Sequence, residues 1–143
     1  MDDLYLIARI ADERIAMPAR SIGSVVEIDQ IAPVPRVAPH IAGLFALRSR
    51  VLTVVDTRTA LDLGSIARTA DMKAVIVNYD GHSYALLVDE VEDVVDGRTR
   101  EACPAVLAGR WAEAAIGSIR HGEEAILLID PAVLIAGAEP LAA

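Results

Sequence analysis

The chain has little of what secreted, membrane-spanning or catalytic proteins usually show. It holds one cysteine, Cys103. A single thiol cannot close an internal disulfide, so nothing in the sequence asks for an oxidising compartment. Aromatic residues make up 3% of the chain, which leaves the core to be packed by aliphatic side chains. No apolar run reaches the ~20 residues a membrane helix needs. Met1-Asp2-Asp3 is acidic where a signal peptide is basic. The expectation is a cytoplasmic protein without membrane insertion.

Catalytic patterns are missing as well. There is neither a P-loop nor a dinucleotide-binding glycine motif. Ser21, Ser24, Ser49, Ser65, Ser83 and Ser118 lie in no Gly-x-Ser-x-Gly elbow. His40, His82 and His121 have no metal-ligand spacing among themselves or with Cys103. His82 and His121 read as exposed turn residues, and His40 as a surface loop position. No catalytic residue, cofactor or metal is expected, and the chain reads as a non-enzyme.

What the chain has is aliphatic bulk. Hydrophobic residues reach 54%, charged residues 24%, and mean hydropathy is +0.41. That composition folds. The net charge of -8 is uneven: positions 1–70 carry eight acids and eight bases, and positions 71–143 carry thirteen acids and five bases. An acidic half repels phosphate backbones and argues against nucleic acid as a partner. Twelve of the thirteen bases are arginine, a residue suited to planar hydrogen bonding at interfaces.

Short apolar runs rich in Val and Ile alternate with turn residues, which predicts strands. Positions 4–10 and 14–17 flank Ala11-Asp12-Glu13. Positions 74–79 and 82–88 flank Asp80-Gly81, a strong hairpin signal because both turn positions favour positive φ. Positions 115–120 and 125–129 flank His121-Gly122. Helices are few and short. One is expected over 57–63, before Gly64, and one from Asp130-Pro131 to about Ala136.

The pattern repeats. Positions 9–26 fall on 78–95 at an offset of 69, matching Ile15 with Tyr84, Ala16 with Ala85, and Val25-Val26 with Val94-Val95. At an offset of 74, Gly43 meets Gly117 and 51–56 meets 125–130. In both copies an Asp ends an apolar strand and precedes a short helix. The repeat implies two similar all-β units, 4–63 and 73–137, packed together as small barrels with a groove between them. Each is marginal alone at about 60 residues.

Asp89, Glu90, Glu92, Asp93 and Asp96 form an acidic run. Its order breaks the calcium-loop pattern, and the interleaved Val91, Val94 and Val95 make it a solvated edge. A small hydrolase or ligand-binding barrel using that run is a distant alternative. The stretch from Gly43 to Asp56 stands out more. Arg48 and Arg50 flank Ser49 as at a hairpin tip. Each is either a solvated turn residue or a fork for a partner's carboxylate or carbonyls.

This stretch resembles the CheW family, which carries a Gly-hydrophobic-x-Asn-Leu-Arg-Gly turn, then an apolar strand ending in hydrophobic-Asp. Upstream, positions 4–17 followed by Ile22-Gly23-Ser24-Val25 resemble the family's strand, turn, strand and hydrophobic-x-Glu-Ile. Downstream, Leu87-Val88-Asp89-Glu90-Val91-Glu92-Asp93-Val94 resembles its Val-Asp-x-Val-x-x-Val. The late Gly117 and Asp130 follow suit, so the likeness spans nearly the whole chain.

The resemblance implies an all-β fold of two five-stranded SH3-like barrels with a few short helices. It implies a bacterial chemotaxis adaptor that couples chemoreceptors to a CheA-type histidine kinase. The partners implied are the kinase regulatory domain and the receptor's cytoplasmic tip, the tip lying in the inter-barrel groove. Partner-binding positions carried over are Ile22, Ser24, Gly43, Leu47, Arg48, Ser49, Arg50 and Val88, with Arg48 on the family's characteristic arginine. Ala46 stands for the usual Asn, Ser49 for the usual Gly, Thr53 for a frequent Pro and Ser24 for a frequent Glu. Ser49 is expected to strain its turn. These departures keep open a variant that binds one partner only, as competitor or ring filler, or that serves another pathway.

Overall fold

The computed structural model describes residues 3–69, 71–100 and 111–136. Cys103 lies outside them. Among the described residues ten strands run in the order β1 (Asp3–Ile10), β2 (Glu13–Pro18), β3 (Ile22–Ile28), β4 (Ile41–Leu47), β5 (Arg50–Asp56), β6 (Met72–Tyr79), β7 (His82–Val88), β8 (Glu90–Arg100), β9 (Ala115–His121) and β10 (Glu124–Ile129). The same residues form three short helices, α1 (Thr57–Ala60), α2 (Trp111–Ala114) and α3 (Pro131–Ala136), and a 3-10 turn at Ala19–Ser21. The fold is all-β, as expected.

The repeat is a structural one. β1–β5 recur as β6–β10, and the backbone irregularities recur with them. The β1–β2 turn holds Ala11 and Asp12 at φ 52° and 71°, and the β6–β7 turn holds Asp80 and Gly81 at 51° and 79°. Pairing shifts by one residue at Gly23 in β3 and at Glu92 in β8. It shifts again between Ile41 and Gly43, and between Ala115 and Gly117. Gly43 and Gly117 share φ values of 147° and 151°.

The two units do not follow the division into 4–63 and 73–137. β1 and β2 join β8, β9 and β10 in a closed barrel ordered β1-β2-β10-β9-β8. β3 to β7 form the other sheet, ordered β3-β6-β7-β5-β4. The second unit is therefore the continuous stretch 22–88, inserted into a barrel made of both chain ends. Both units keep the same circular order of repeat positions. Parallel contacts make the exchange: β10 pairs with β2 through Leu128↔Ala16, and β5 with β7 through Val54↔Ala85. Local periodicity states that a segment is a strand and not which sheet it joins.

Three apolar layers result. Tyr5, Ile7, Ala16, Ile119, Ile126 and Leu128 fill the barrel. Ile28, Leu52, Val54, Ala74, Ala85 and Leu87 fill the inner side of the second sheet. Between the units lie Leu6, Ala8, Ile10, Ile15 and Met17 from one side and Val55, Val75, Val77, Leu86 and Val88 from the other. This is why 4–10 reads as a nearly unbroken apolar run: Tyr5 and Ile7 face the barrel interior, and Leu6, Ala8 and Ile10 face the other unit. Each such side chain stabilises by about 1.5–3 kcal/mol on full burial.

The helices begin as expected and the first stops early. Asp56 caps α1, accepting from Thr59 N at 3.2 Å, and Asp130 accepts from Ala132 N at 3.0 Å at the start of α3. α1 ends at Ala60, short of the expected residue 63, and Asp62 takes φ 62°. His40 is not a surface residue: it is 5% exposed, and its Nε2 lies 2.7 Å from the carbonyl of Ile135 in α3. A carbonyl only accepts, so Nε2 carries the proton. Among the described residues no helix is long and apolar enough to cross a membrane.

Candidate partner-binding site

The β4–β5 hairpin carries the largest group of expected site residues. Leu47 packs half-buried against the inner core of the second sheet. The turn is Arg48-Ser49, and both residues are exposed. Positive φ falls on Arg48, at 58°, and not on Ser49. The expected strain therefore sits on the arginine itself. Arg50 donates from Nη2 to Ser83 Oγ, and Ser83 donates on to Asn78 Oδ1 at 2.7 Å. That chain ties the β4–β5 hairpin to the β6–β7 hairpin. Arg50 therefore has a partner within the chain, while Arg48 projects from a braced base.

The other expected residues are dispersed. Ile22 and Ser24 lie on β3, at the opposite edge of the same sheet, paired to Val77 and Ile76 of β6. Ser24 is exposed, and Ile22 packs half-buried against the layer between the units. Gly43 is buried, and Val88 is 2% exposed within the inter-unit layer. Neither has an exposed side chain. Gly43 is fixed by close approach: a Cβ there would lie 2.2 Å from the carbonyl oxygen of Ala32.

Two exposed apolar residues beside the hairpin were not singled out from sequence. Val51 is 65% exposed on β5 and Tyr79 47% exposed at the end of β6. The signal for Val51 was available, since it alternates with buried Leu52 and Val54 in a half-covered strand.

A cleft opens where the chain passes from the barrel to the second sheet. Asp3, Leu4, Pro18, Arg20 and Ile116 help to line it. Leu4 and Ile116 are each more than half exposed there, giving the cleft exposed apolar surface beside the charges of Asp3 and Arg20.

The acidic run is not simply a solvated edge. Glu92 accepts from Arg9 Nε at 2.9 Å and from Arg14 Nε at 3.0 Å, and Arg14 reaches Glu124 as well. The hydrogen bond from Arg9, followed by the charge of Arg14, holds the Glu92 carboxyl below its usual range. Asp89 accepts from Ala11 N and from Arg58. Among the described residues no three His, Cys, Asp or Glu side chains gather as a metal site.

The family model of the CheW-like domain matches residues 4–139. The chain belongs to the CheW family. It is 21% identical over 132 residues to the chemotaxis protein CheW of Treponema pallidum (strain Nichols), covering 85% of this chain and 75% of that protein. It is 27% identical over 90 residues to the chemotaxis protein CheW of Bacillus subtilis (strain 168), covering 63% of this chain and 58% of that one. The solved scaffolding protein TtCheW from Thermoanaerobacter tengcongensis superposes with a TM-score of 0.76 at 20% identity, over 91% of this chain and 85% of that structure. The CheW fold, two five-stranded SH3-like units, is thus the fold of this chain, and the family is one of chemotaxis scaffolds.

Proposed function

We propose that this chain is a cytoplasmic adaptor that couples chemoreceptors to a CheA-type histidine kinase. The observation that carries the reading is Arg48. In a chain of a scaffold family, it projects from a hairpin tip whose base is fastened by Arg50, Ser83 and Asn78. A long cation held on a rigid base suits a docking contact better than a mobile loop does. Exposed Val51 and Tyr79 beside it supply apolar area. The kinase regulatory domain seats on this hairpin side of the 22–88 unit, and Arg48 sets its register by forking onto acceptors. The receptor's cytoplasmic tip, a helical hairpin, lies in the cleft lined by Leu4 and Ile116. Control arises from arrangement, and the chain makes and breaks no bond.

The test is a pull-down with the purified chain from lysate of its own host, read by mass spectrometry. Recovery of a CheA-type kinase together with a chemoreceptor is the expected result. Recovery of only one of the two makes the chain a competitor or ring filler. Recovery of neither removes the adaptor reading and leaves the fold alone.

A further inference from the structure

The second unit closes less completely than the barrel, although one repeat builds both. In the barrel, β8 and β9 pair through Arg98↔Arg120, Thr99↔Ile119 and Arg100↔Ser118, which seals the circuit. The corresponding strands of the second unit, β3 and β4, are not neighbours. Beyond Ile28 the chain still runs beside β4 and makes one rung. Ala32 and Leu44 exchange both backbone hydrogen bonds at 2.8 Å. In an antiparallel ladder the next such rung lies two residues along each strand, which is Gln30 opposite Ala46. That rung is unmade, and a cleft lined by Gln30, Ile31, Phe45 and Ala46, among others, opens in its place.

The side chains are already arranged for closure. Ile31 and Phe45, the intervening pair, both pack against the inner core of the sheet. Gln30 and Ala46 are both exposed, so their pairing buries no polar side chain. Water satisfies their backbone groups while the seam is open, so the two states differ little in free energy.

We propose that this seam is a zipper built into the fold. Gln30 closes onto Ala46 and completes the second barrel, while Arg50 and Ser83 hold the base of the Arg48–Ser49 turn in both states. Closure is independent of any partner and of the proposed function.

The test is disulfide trapping in the full chain with Cys103→Ser. A closed rung brings the two Cα atoms to about 5.5 Å, within the range a disulfide spans. Gln30→Cys with Ala46→Cys, under oxidised glutathione, is expected to cross-link at a rate within about tenfold of Arg98→Cys with Arg120→Cys, a rung the barrel already makes. The out-of-register pair, Asp29→Cys with Leu44→Cys, three residues from the Ala32–Leu44 rung, is expected to be slower. Failure of the first pair when the barrel pair has reacted fully overturns the proposal. Equal rates in and out of register overturn it too, because they report a flapping edge and no ladder. Hydrogen exchange on the unsubstituted chain needs no variant. Measurable protection of the Ala46 amide is expected, and exchange at the free-peptide rate overturns closure.

Discussion

Arg58 and Asp89 meet fork to fork: Arg58 Nε lies 3.1 Å from Asp89 Oδ2, and Nη2 lies 2.8 Å from Oδ1. Asp89 is the single residue between β7 and β8, where the chain leaves the inserted sheet for the barrel. Its carboxylate also accepts from Ala11 N, in the β1–β2 turn of the barrel. Arg58 belongs to α1, which follows β5 within the inserted unit. One side chain thus pins both units at their crossing. Asp89→Ala is expected to lower stability by about 1–3 kcal/mol, read as the urea midpoint. Solvent screening of the partly exposed pair keeps Arg58→Ala below that. Arg58→Lys should not restore the midpoint, because an ammonium cannot supply two parallel donors.

Asp56 is wholly buried, and its carboxylate is filled by Thr59 N, Ile66 N at 2.9 Å and Arg68 Nη1 at 3.0 Å. These contacts fasten the segment after α1. Asp56→Asn keeps the shape and turns an amide NH2 toward donors. It is expected to cost about 2–3 kcal/mol. Arg68→Ala leaves two backbone donors on the carboxylate and costs less. The reverse order in chemical denaturation would mean that the arginine, and not the backbone cradle, holds this carboxylate.

The strands, the hairpin turns and the twofold repeat were legible because each is local. Asp80-Gly81 announces its turn, and Asp56 and Asp130 announce the helices that follow them. The exchange of strands was not legible. β2 and β3 are separated only by Ala19–Ser21, yet belong to different sheets. Nothing in their alternation marks the crossing. His40 was misread for a related reason. Its burial is made by α3, 95 positions away, and proline-rich surroundings resemble an exposed loop. At the candidate site, only the fold separates exposed Arg48 from Gly43 in the same motif and Val88 in the downstream one, both of which are buried.

Gly43 tests how tightly the start of the seam is built. Its φ of 147° is open to glycine, and an added Cβ would meet both Ala32 O and the Ile31 side chain. Gly43→Ala is expected to cost about 3 kcal/mol, as backbone strain and overpacking combine. Gly64→Ala is the control. Gly64 has φ 92° with nothing within 4 Å of its Cβ position, so only the backbone term of about 1 kcal/mol applies. Equal losses in thermal unfolding would show that Ala32 moves away freely.

The Glu92 ladder predicts a pH dependence with a definite sign. The folded carboxyl is held below its usual value, first by the hydrogen bond from Arg9. The folded state therefore binds fewer protons than the unfolded state in the acid range. The stabilisation is fully present above the usual carboxylate pKa and is lost as pH falls through the lowered one. Glu92→Gln is expected to narrow the stability difference between pH 7 and pH 3 by a small amount, since the pairs are exposed. An unchanged difference in paired denaturation curves would leave the ladder without energetic weight.

Arg48 is placed where strain and docking can be separated. At φ 58° an arginine pays for a left-handed backbone that glycine adopts freely. Arg48→Gly is expected to raise stability by about 0.5–1 kcal/mol and to weaken binding of the kinase regulatory domain. Arg48→Glu keeps the strain and reverses the charge. Its melting temperature should stay near that of the parent, because the side chain is exposed, while its affinity falls by about tenfold or more. Calorimetric titration of both variants decides the matter. If the two weaken together while their stabilities diverge, the arginine is kept for the partner at the expense of the turn. If both bind like the parent, Arg48 is a solvated turn residue, and docking has to be sought at Val51, Tyr79 or the cleft.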